Sequence, residues 1–336
     1  MVYKFAINGF GRIGRTVFRR LVEKGLLSSI SAINDLSSLD NLAYLLKFDS
    51  THGVLPCSVS VEDDFLIVDG HRVVIFRETD PSCIKWGQHQ IDVVIESTGR
   101  FCSKERASLH LKGGARSVLI SAPADDITPI VWGVNHDQAL SFVDKVFSAA
   151  SCTTNCAATL LDVLDRAFGV EACSLSTIHA TTSSQSLLDS PSAKNMRLCR
   201  GSLQNIIPTS TGASKAVEEV LPRLRGRLLG TAFRVPLPNV SLLDLVLTFR
   251  SFVTLNNVIK SLEEAASGSY KGIITVTNDF LVSSDIRGNC HSSIVDCKAS
   301  VAIEGQLVKL VAWYDNERGY SARVVDLVQF ICDRCL

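Results

Sequence analysis

Six residues near the start of the chain, Gly9-Phe10-Gly11-Arg12-Ile13-Gly14, limit what it can fold into more than any other stretch. An apolar run, Lys4-Phe5-Ala6-Ile7-Asn8, reads as a short buried strand before them; after them Ile13, Val17, Phe18, Leu21 and Val22 recur at helical spacing until Gly25. Strand, glycine turn and helix in this order open a dinucleotide-binding βαβ unit. Gly9 permits the tight turn, Gly11 lets the backbone approach a pyrophosphate, and Gly14 lets the helix pack close to the strand. The helix start then offers N–H groups to the anion. A second strand, Ile30-Ser31-Ala32-Ile33, ends at Asn34-Asp35, and 35 − 14 places Asp35 21 residues beyond the last glycine. An acidic group there accepts hydrogen bonds from the adenosine ribose and repels a 2′-phosphate, which favours NAD over NADP.

The rest of the first half continues the pattern. Ile91 to Gly99 and Ser117 to Pro123 are apolar runs that end in small residues, with a helical stretch from Lys104 to Leu111 between them closing on Gly113-Gly114. This β-α-β alternation predicts an α/β domain of the Rossmann type, a doubly wound parallel sheet over residues 1–150. With 336 residues, the chain has length for a second domain. Its 34 basic and 34 acidic side chains cancel, so no general field draws it to nucleic acid or to anionic lipid. Hydrophobic residues at 46% and charged residues at 20% describe a folded globular chain. No apolar stretch is long enough to span a membrane, and the first residues run straight into a strand with no export signal. The 11 cysteines therefore read as reduced thiols in a cytoplasmic protein.

One of those thiols is set for chemistry. Ser151-Cys152-Thr153-Thr154-Asn155-Cys156 precedes an amphipathic run with Leu160, Leu161, Val163 and Leu164, and small and hydroxyl residues before a helix mark its start, so Cys152 falls in or near the first turn. The helix dipole there favours a thiolate. Cys156, four residues on, reads as a packed thiol, and no further Cys/His pair follows at zinc-site spacing, so no metal is expected. The next segment, Cys173 to His179, alternates like a strand and delivers His179 at its end. A strand returning beside the helix start could bring this imidazole to Cys152, but spacing alone does not establish the contact.

Taken together, the segments Asn8 to Arg15, Ser151 to Cys156, His179-Ala180-Thr181-Thr182, Gln204 to Ala213, Arg234-Val235-Pro236 and Trp313 to Glu317 are specific. The chain resembles the phosphorylating glyceraldehyde-3-phosphate dehydrogenases over essentially its whole length. That resemblance implies oxidation of D-glyceraldehyde 3-phosphate to 1,3-bisphosphoglycerate with reduction of NAD. Cys152 would be the nucleophile, forming a hemithioacetal and then a thioester that inorganic phosphate cleaves, and His179 would be the base. It implies a substrate-phosphate clasp of Thr182 and Arg234, joined by Arg197, and a second clasp for the attacking phosphate from Ser151, Thr153, Thr211 and Gly212. For the cofactor it implies Gly9, Gly11, Arg12 and Ile13 at the pyrophosphate, Asp35 at the ribose, Arg77 beside adenine, Ser121 at a strand end and Asn316 on the nicotinamide carboxamide. A homotetramer is implied as well, with no dedicated nucleic-acid or membrane partner.

The chain departs from the family pattern at Arg318, where Phe is common, at Ala149 for Asn, at Thr181 for Tyr, and through the loop from Thr182 to Gly201. Residues 151–314 are expected to form an α+β catalytic domain with a largely antiparallel sheet, and the resemblance implies that a C-terminal helix, 315–336, completes the first domain. Two alternatives stand beside the main expectation. One is a paralogous dehydrogenase for erythrose 4-phosphate; the other is an NAD-binding protein with mainly macromolecular partners.

Overall fold

The computed structural model describes residues 3–141, 145–183, 185–192 and 195–336. Met1, Val2 and three positions of the 182–201 loop, 184, 193 and 194, thus lie outside the described residues. The chain divides into two compact units, residues 1–150 with 321–336, and residues 151–320.

In the first unit, β1 (Phe5–Asn8) is followed by α1 (Arg12–Glu23), β2 (Ile30–Asn34), α2 (Leu39–Lys47), β3 (Phe48–Asp49) and β4 (Gly53–Val54). Next come β5 (Val59–Glu62), β6 (Phe65–Val68), β7 (His71–Phe76), β8 (Val93–Glu96), α3 (Lys104–Ala107), α4 (Leu109–Lys112), β9 (Ser117–Ile120) and β10 (Val146–Ser148). The main sheet runs β10-β9-β8-β1-β2-β7-β6-β5. From β10 to β7 the pairs are parallel, and β1, β8 and β9 are buried throughout, as strands covered on both faces must be. Strand order reverses at β1, which has β2 on one side and β8 on the other, and a crevice opens at the carboxyl ends of such strands.

Two details of this unit differ from the sequence expectation. The helical stretch from Lys104 is two short helices, α3 and α4, that meet at Ser108. The antiparallel β5, β6 and β7, with β7 also parallel to β2, extend the sheet with a meander that the βαβ pattern does not contain.

The second unit begins with α5 (Cys152–Phe168), then β11 (Val170–His179), β12 (Ile207–Thr209), α6 (Ala213–Val220), β13 (Leu228–Arg234) and β14 (Ser241–Phe249). It continues with α7 (Leu255–Ser267), β15 (Ile274–Thr277), β16 (Ser293–Ile303), β17 (Leu307–Tyr314) and the start of α8 (Arg318–Cys335). Its sheet runs β12-β13-β11-β14-β17-β16-β15 and is largely antiparallel, the parallel pairs being β11 with β13 and β15 with β16. Ser151 caps α5 by accepting the Thr154 N–H at 3.0 Å, and Gly169, at φ +69°, ends it. One side of α5, including Cys156, Leu160, Leu161 and Leu164, is fully buried and lies against the sheet. That packing fixes where the helix start, and with it Cys152, is aimed.

Candidate active site

The first unit carries a cleft of about 320 Å³ at the strand ends. Its wall includes Gly9 and Gly11 from the glycine turn, Asn34 and Asp35 from the end of β2, and Thr98 beyond β8. The three glycines of the turn differ in their surroundings. A Cβ on Gly9 would lie 2.7 Å from the Thr98 nitrogen, and one on Gly14 only 2.2 Å from the Gly9 carbonyl oxygen. A Cβ on Gly11 would meet nothing within 4 Å, so this residue leaves open space at the cleft wall. No side chain caps α1, which starts directly after Gly11. A turn that leaves room and a helix start that offers donors suit a pyrophosphate. Asp35 accepts from the Phe10 N–H at 2.8 Å and the Ser37 N–H at 2.9 Å, which holds its carboxylate at the cleft wall.

Other expected cofactor residues stand further off. Ile13 lies in the first turn of α1; Arg12 pairs with Asp49 at 2.6 Å. The Arg77 guanidinium sits 3.6 Å from Asp64 and does not line the cleft. Ser121 donates from its hydroxyl and its N–H to the Glu96 carbonyl oxygen.

In the second unit, Cys152 Sγ lies 3.4 Å from His179 Nε2. The other ring nitrogen, Nδ1, is 2.7 Å from the Ala180 carbonyl oxygen. Nδ1 thus stands between a carbonyl that only accepts and, from Arg234, a guanidinium that only donates. Arg234 arrives from β13, where it is the register partner of His179 on the parallel β11. Its Nη1 donates to Ala180 O at 3.1 Å and stands 2.6 Å from Nδ1.

Burial and then the Arg234 charge push His179 down to about 4, against the pull of the Ala180 hydrogen bond. Burial likewise raises the Cys152 thiol; the Arg234 charge and the hydrogen bonds from Thr153 oppose this without cancelling it. Burial thus moves both groups against charge, the thiol upward and the imidazole downward, while the helix start and Arg234 favour a charged sulfur. Cys156 is raised to about 12 by burial and donates nothing to this pair; its sulfur accepts from Ser293 Oγ at 3.4 Å.

The residues expected at the phosphate clasps are engaged locally. Ser151 Oγ pairs with Thr154 Oγ1 at 2.7 Å, and Thr153 Oγ1 with the Tyr314 hydroxyl at 2.9 Å. Thr211 accepts the Ala213 N–H, and Gly212 is the N-cap of α6, a helix that lies against α5. The Thr182 N–H reaches Gln185 Oε1 at 3.3 Å. Arg197 is exposed in a 3₁₀ turn, Met196–Cys199, and among the described bonds none joins its guanidinium to Thr182 or Arg234.

Sequence reasoning named Asn316 but missed what aims it. Ser241 Oγ donates to Asn316 Oδ1 at 3.0 Å and accepts the Ala180 N–H at 3.1 Å, so one serine links the amide to the backbone beside His179. Tyr314 was missed too, although it lies within the Trp313 to Glu317 motif and is the register partner of Ser241. The departures fall at the margins. Thr181 bonds Val235 O and Leu237 O, Ala149 is fully buried, and the Arg318 N–H is held by Asp315 in the first turn of α8. Among the described residues no helix is long and apolar enough to cross a membrane.

A parallel sheet with a glycine-turn cleft, in one chain with a cysteine and histidine in contact, defines an NAD-dependent oxidoreductase of the kind that works through a thiol. Family models match in both halves: residues 3–104 fit the "Glyceraldehyde 3-phosphate dehydrogenase, NAD binding domain" and residues 151–316 the corresponding "C-terminal domain". The chain is 47% identical over 333 residues to glyceraldehyde-3-phosphate dehydrogenase 1 of Caenorhabditis elegans, covering 98% of each, and 48% identical over 338 residues to the enzyme of that name from Priestia megaterium, covering 100% of each. The chain belongs to the glyceraldehyde-3-phosphate dehydrogenase family.

Proposed function

We propose that the chain oxidises D-glyceraldehyde 3-phosphate to 1,3-bisphosphoglycerate in glycolysis and its reverse, with NAD as hydride acceptor and inorganic phosphate as co-substrate. The observation that carries this reading is the 3.4 Å approach of Cys152 Sγ to His179 Nε2.

The thiol proton passes to Nε2 as sulfur attacks the aldehyde carbon, giving a hemithioacetal. His179 returns that proton to the new alkoxide and then takes the hydroxyl proton as hydride leaves the carbon. When bound, NAD supplies the acceptor for that hydride. A thioester remains on Cys152; phosphate oxygen attacks its carbonyl carbon, the C–S bond breaks with its electron pair going to sulfur, which takes back the proton His179 holds, and the acyl phosphate departs. The Cys152 backbone N–H at the helix start, with His179, stabilises oxygen charge along the way. A thioester retains oxidation energy that attack by water would dissipate.

Arg234 and Thr182, with Arg197, hold the substrate phosphate in this proposal; Ser151, Thr153, Thr211 and Gly212 hold the attacking one. Arg234 would thereby satisfy an anion while keeping His179 neutral. Gly9, Gly11, Arg12, Ile13, Asp35, Arg77 and Ser121 serve the dinucleotide. Asn316, its carbonyl end tied to Ser241, offers its N–H to the carboxamide. We place the cofactor domain at residues 1–150 with 315–336 and the catalytic domain at 151–314, in a cytoplasmic homotetramer.

The test follows NADH formation from D-glyceraldehyde 3-phosphate with and without phosphate, for the parent and Cys152→Ser, repeated with NADP and with erythrose 4-phosphate. Phosphate dependence, preference for NAD and for the triose, and loss in the variant are expected. Turnover without phosphate or without Cys152 would overturn the mechanism, and faster turnover of erythrose 4-phosphate would favour the paralogous enzyme.

A further inference from the structure

The three strands that meet at the order reversal each end in a polar side chain, and these side chains are bonded to one another. Asn8 ends β1, and its register partners are Asn34 on β2 and Glu96 on β8. Asn34 Nδ2 donates to Asn8 Oδ1 at 2.7 Å, and Asn8 Nδ2 donates to Glu96 Oε2 at 2.5 Å. Both ends of the Asn8 amide are thus assigned. Asn34 itself is fixed by the Glu78 backbone, accepting its N–H at 2.8 Å and donating to its carbonyl oxygen at 3.0 Å.

Glu96 is the centre of the row. It is 1% exposed, and its side chain meets donors on both oxygens. Oε1 accepts the Thr98 N–H at 2.7 Å and the Thr98 hydroxyl at 2.5 Å. Oε2 accepts from Asn8 and faces His110 Nε2 at 3.0 Å. His110 is fully buried, and the Trp86 Nε1–H donates to its Nδ1 at 3.0 Å. An indole nitrogen only donates, so Nδ1 must accept, and the neutral ring carries its hydrogen on Nε2, aimed at Glu96.

Glu96 and His110 are absent from the cleft wall, while the groups they hold form it. Asn8, Asn34, Glu78 and Thr98 all line the cleft. The Thr98 nitrogen is the atom 2.7 Å from the place a Gly9 Cβ would occupy, so the loop held by Glu96 presses on the first glycine of the turn. A buried carboxylate with every bond met rigidifies what it holds.

We propose that Glu96 is the positioning residue of the cofactor cleft, fixing Asn8 and Thr98 beneath the glycine turn, and that Trp86 locks His110 into the tautomer that serves it. The inference rests on NAD occupying this cleft.

Two substitutions of the ring separate its functions, because a glutamine amide reaches the place of Nε2 and an asparagine amide that of Nδ1. His110→Gln keeps a donor for Glu96. His110→Asn keeps an acceptor for Trp86 and leaves Glu96 one donor short. Calorimetric titration with NAD should show His110→Asn binding roughly tenfold more weakly than the parent, with the loss falling on KM for NAD more than on kcat, and His110→Gln within about threefold of the parent. Nitrogen NMR of the parent should show the His110 hydrogen on Nε2.

Equal NAD affinity in a folded His110→Asn variant would overturn the proposal, as would equal losses in both variants. Should the asparagine variant not fold, a ring hydrogen found on Nδ1 of the parent would overturn it without any variant, and one found on Nε2 would support it. A parent that binds no NAD would remove the cofactor reading itself, a failure distinct from the others.

Discussion

Tyr314 is hydrogen-bonded through its hydroxyl to Thr153 Oγ1 at 2.9 Å, and the same oxygen lies 2.8 Å from Thr177 Oγ1. One phenol thereby ties the helix turn that carries Cys152 to the strand that delivers His179. Burial raises the Tyr314 hydroxyl far above its ordinary range, so it stays protonated and can donate to one threonine while accepting from the other. Tyr314→Phe leaves two buried threonine hydroxyls without this partner. We expect a loss of about 1–3 kcal/mol in stability and a fall in kcat. Chemical denaturation with matched steady-state kinetics checks both; a variant as stable as the parent would show that the bridge contributes nothing.

In the proposed mechanism His179 is the base and sets the acid limit of the reaction. It acts unprotonated, and its folded value of about 4 lies below the ordinary imidazole value of about 6.5. The base therefore survives as pH falls through 6.5 and is lost only near 4. The acid limb of kcat/KM for the aldehyde, which reports the free enzyme, should fall in that lower range. A limb at about 6.5 would mean that burial and Arg234 do not govern this ring. The same depression means that the unfolded chain takes up a proton first, so this group's stabilising contribution is present above about 6.5 and fades as pH drops toward 4.

Asp49 gives a second, separate pH window. Burial works against its charge, but the His52 N–H, the Arg12 guanidinium and the Thr51 N–H outweigh that and hold it at about 2. A carboxylate lowered in the fold stabilises above its unfolded value and loses that contribution as pH falls from about 4 to about 2. Because the Arg12 side chain is 35% exposed, solvent screening reduces the effect to about 1 kcal/mol. Asp49→Asn should cost that much at pH 7 and nothing near pH 2, measured by urea denaturation at the two values.

The glycine turn separates folding from binding. Gly14→Ala sets a methyl 2.2 Å from the Gly9 carbonyl oxygen and must push α1 off the end of β1, at a cost above about 3 kcal/mol. Gly11→Ala meets no protein atom, and its backbone, at φ −74°, accepts an alanine. It should melt with the parent yet bind NAD about tenfold more weakly, since the methyl enters space at the cleft wall. Thermal melts and NAD titration distinguish the two; a Gly11→Ala variant with parental affinity would place the pyrophosphate elsewhere.

Local signals were legible in the sequence and non-local ones were not. The glycine turn, the buried β1, the cap at Ser151 and the strand ending at His179 each depend on a few neighbouring residues, so periodicity and capping chemistry reveal them. Arg234 beside His179 depends on pairing between strands whose partners are 55 positions apart (234 − 179), and no local pattern encodes that register. Tyr314, 161 positions from Thr153, was hidden for the same reason. Asn8 and Asn34 did carry a signal, a polar residue closing an apolar strand, but single strand ends read as turns until their partners are known. The helix start that favours a thiolate at Cys152 is a local signal, whereas the burial that pushes this thiol up comes from surrounding packing, which the sequence does not display.

The pairing of β11 with β13 means that the imidazole and the guanidinium are inherited together. Because adjacent positions on a strand face opposite ways, a single-residue insertion in either strand would turn one of the two groups to the far side of the sheet while leaving both amino acids in the sequence. Insertions and deletions in this family should therefore collect in the loops flanking these strands, where length can change without altering which residues stand side by side. A homologue can keep both the histidine and the arginine and still lack this chemistry if that spacing is broken.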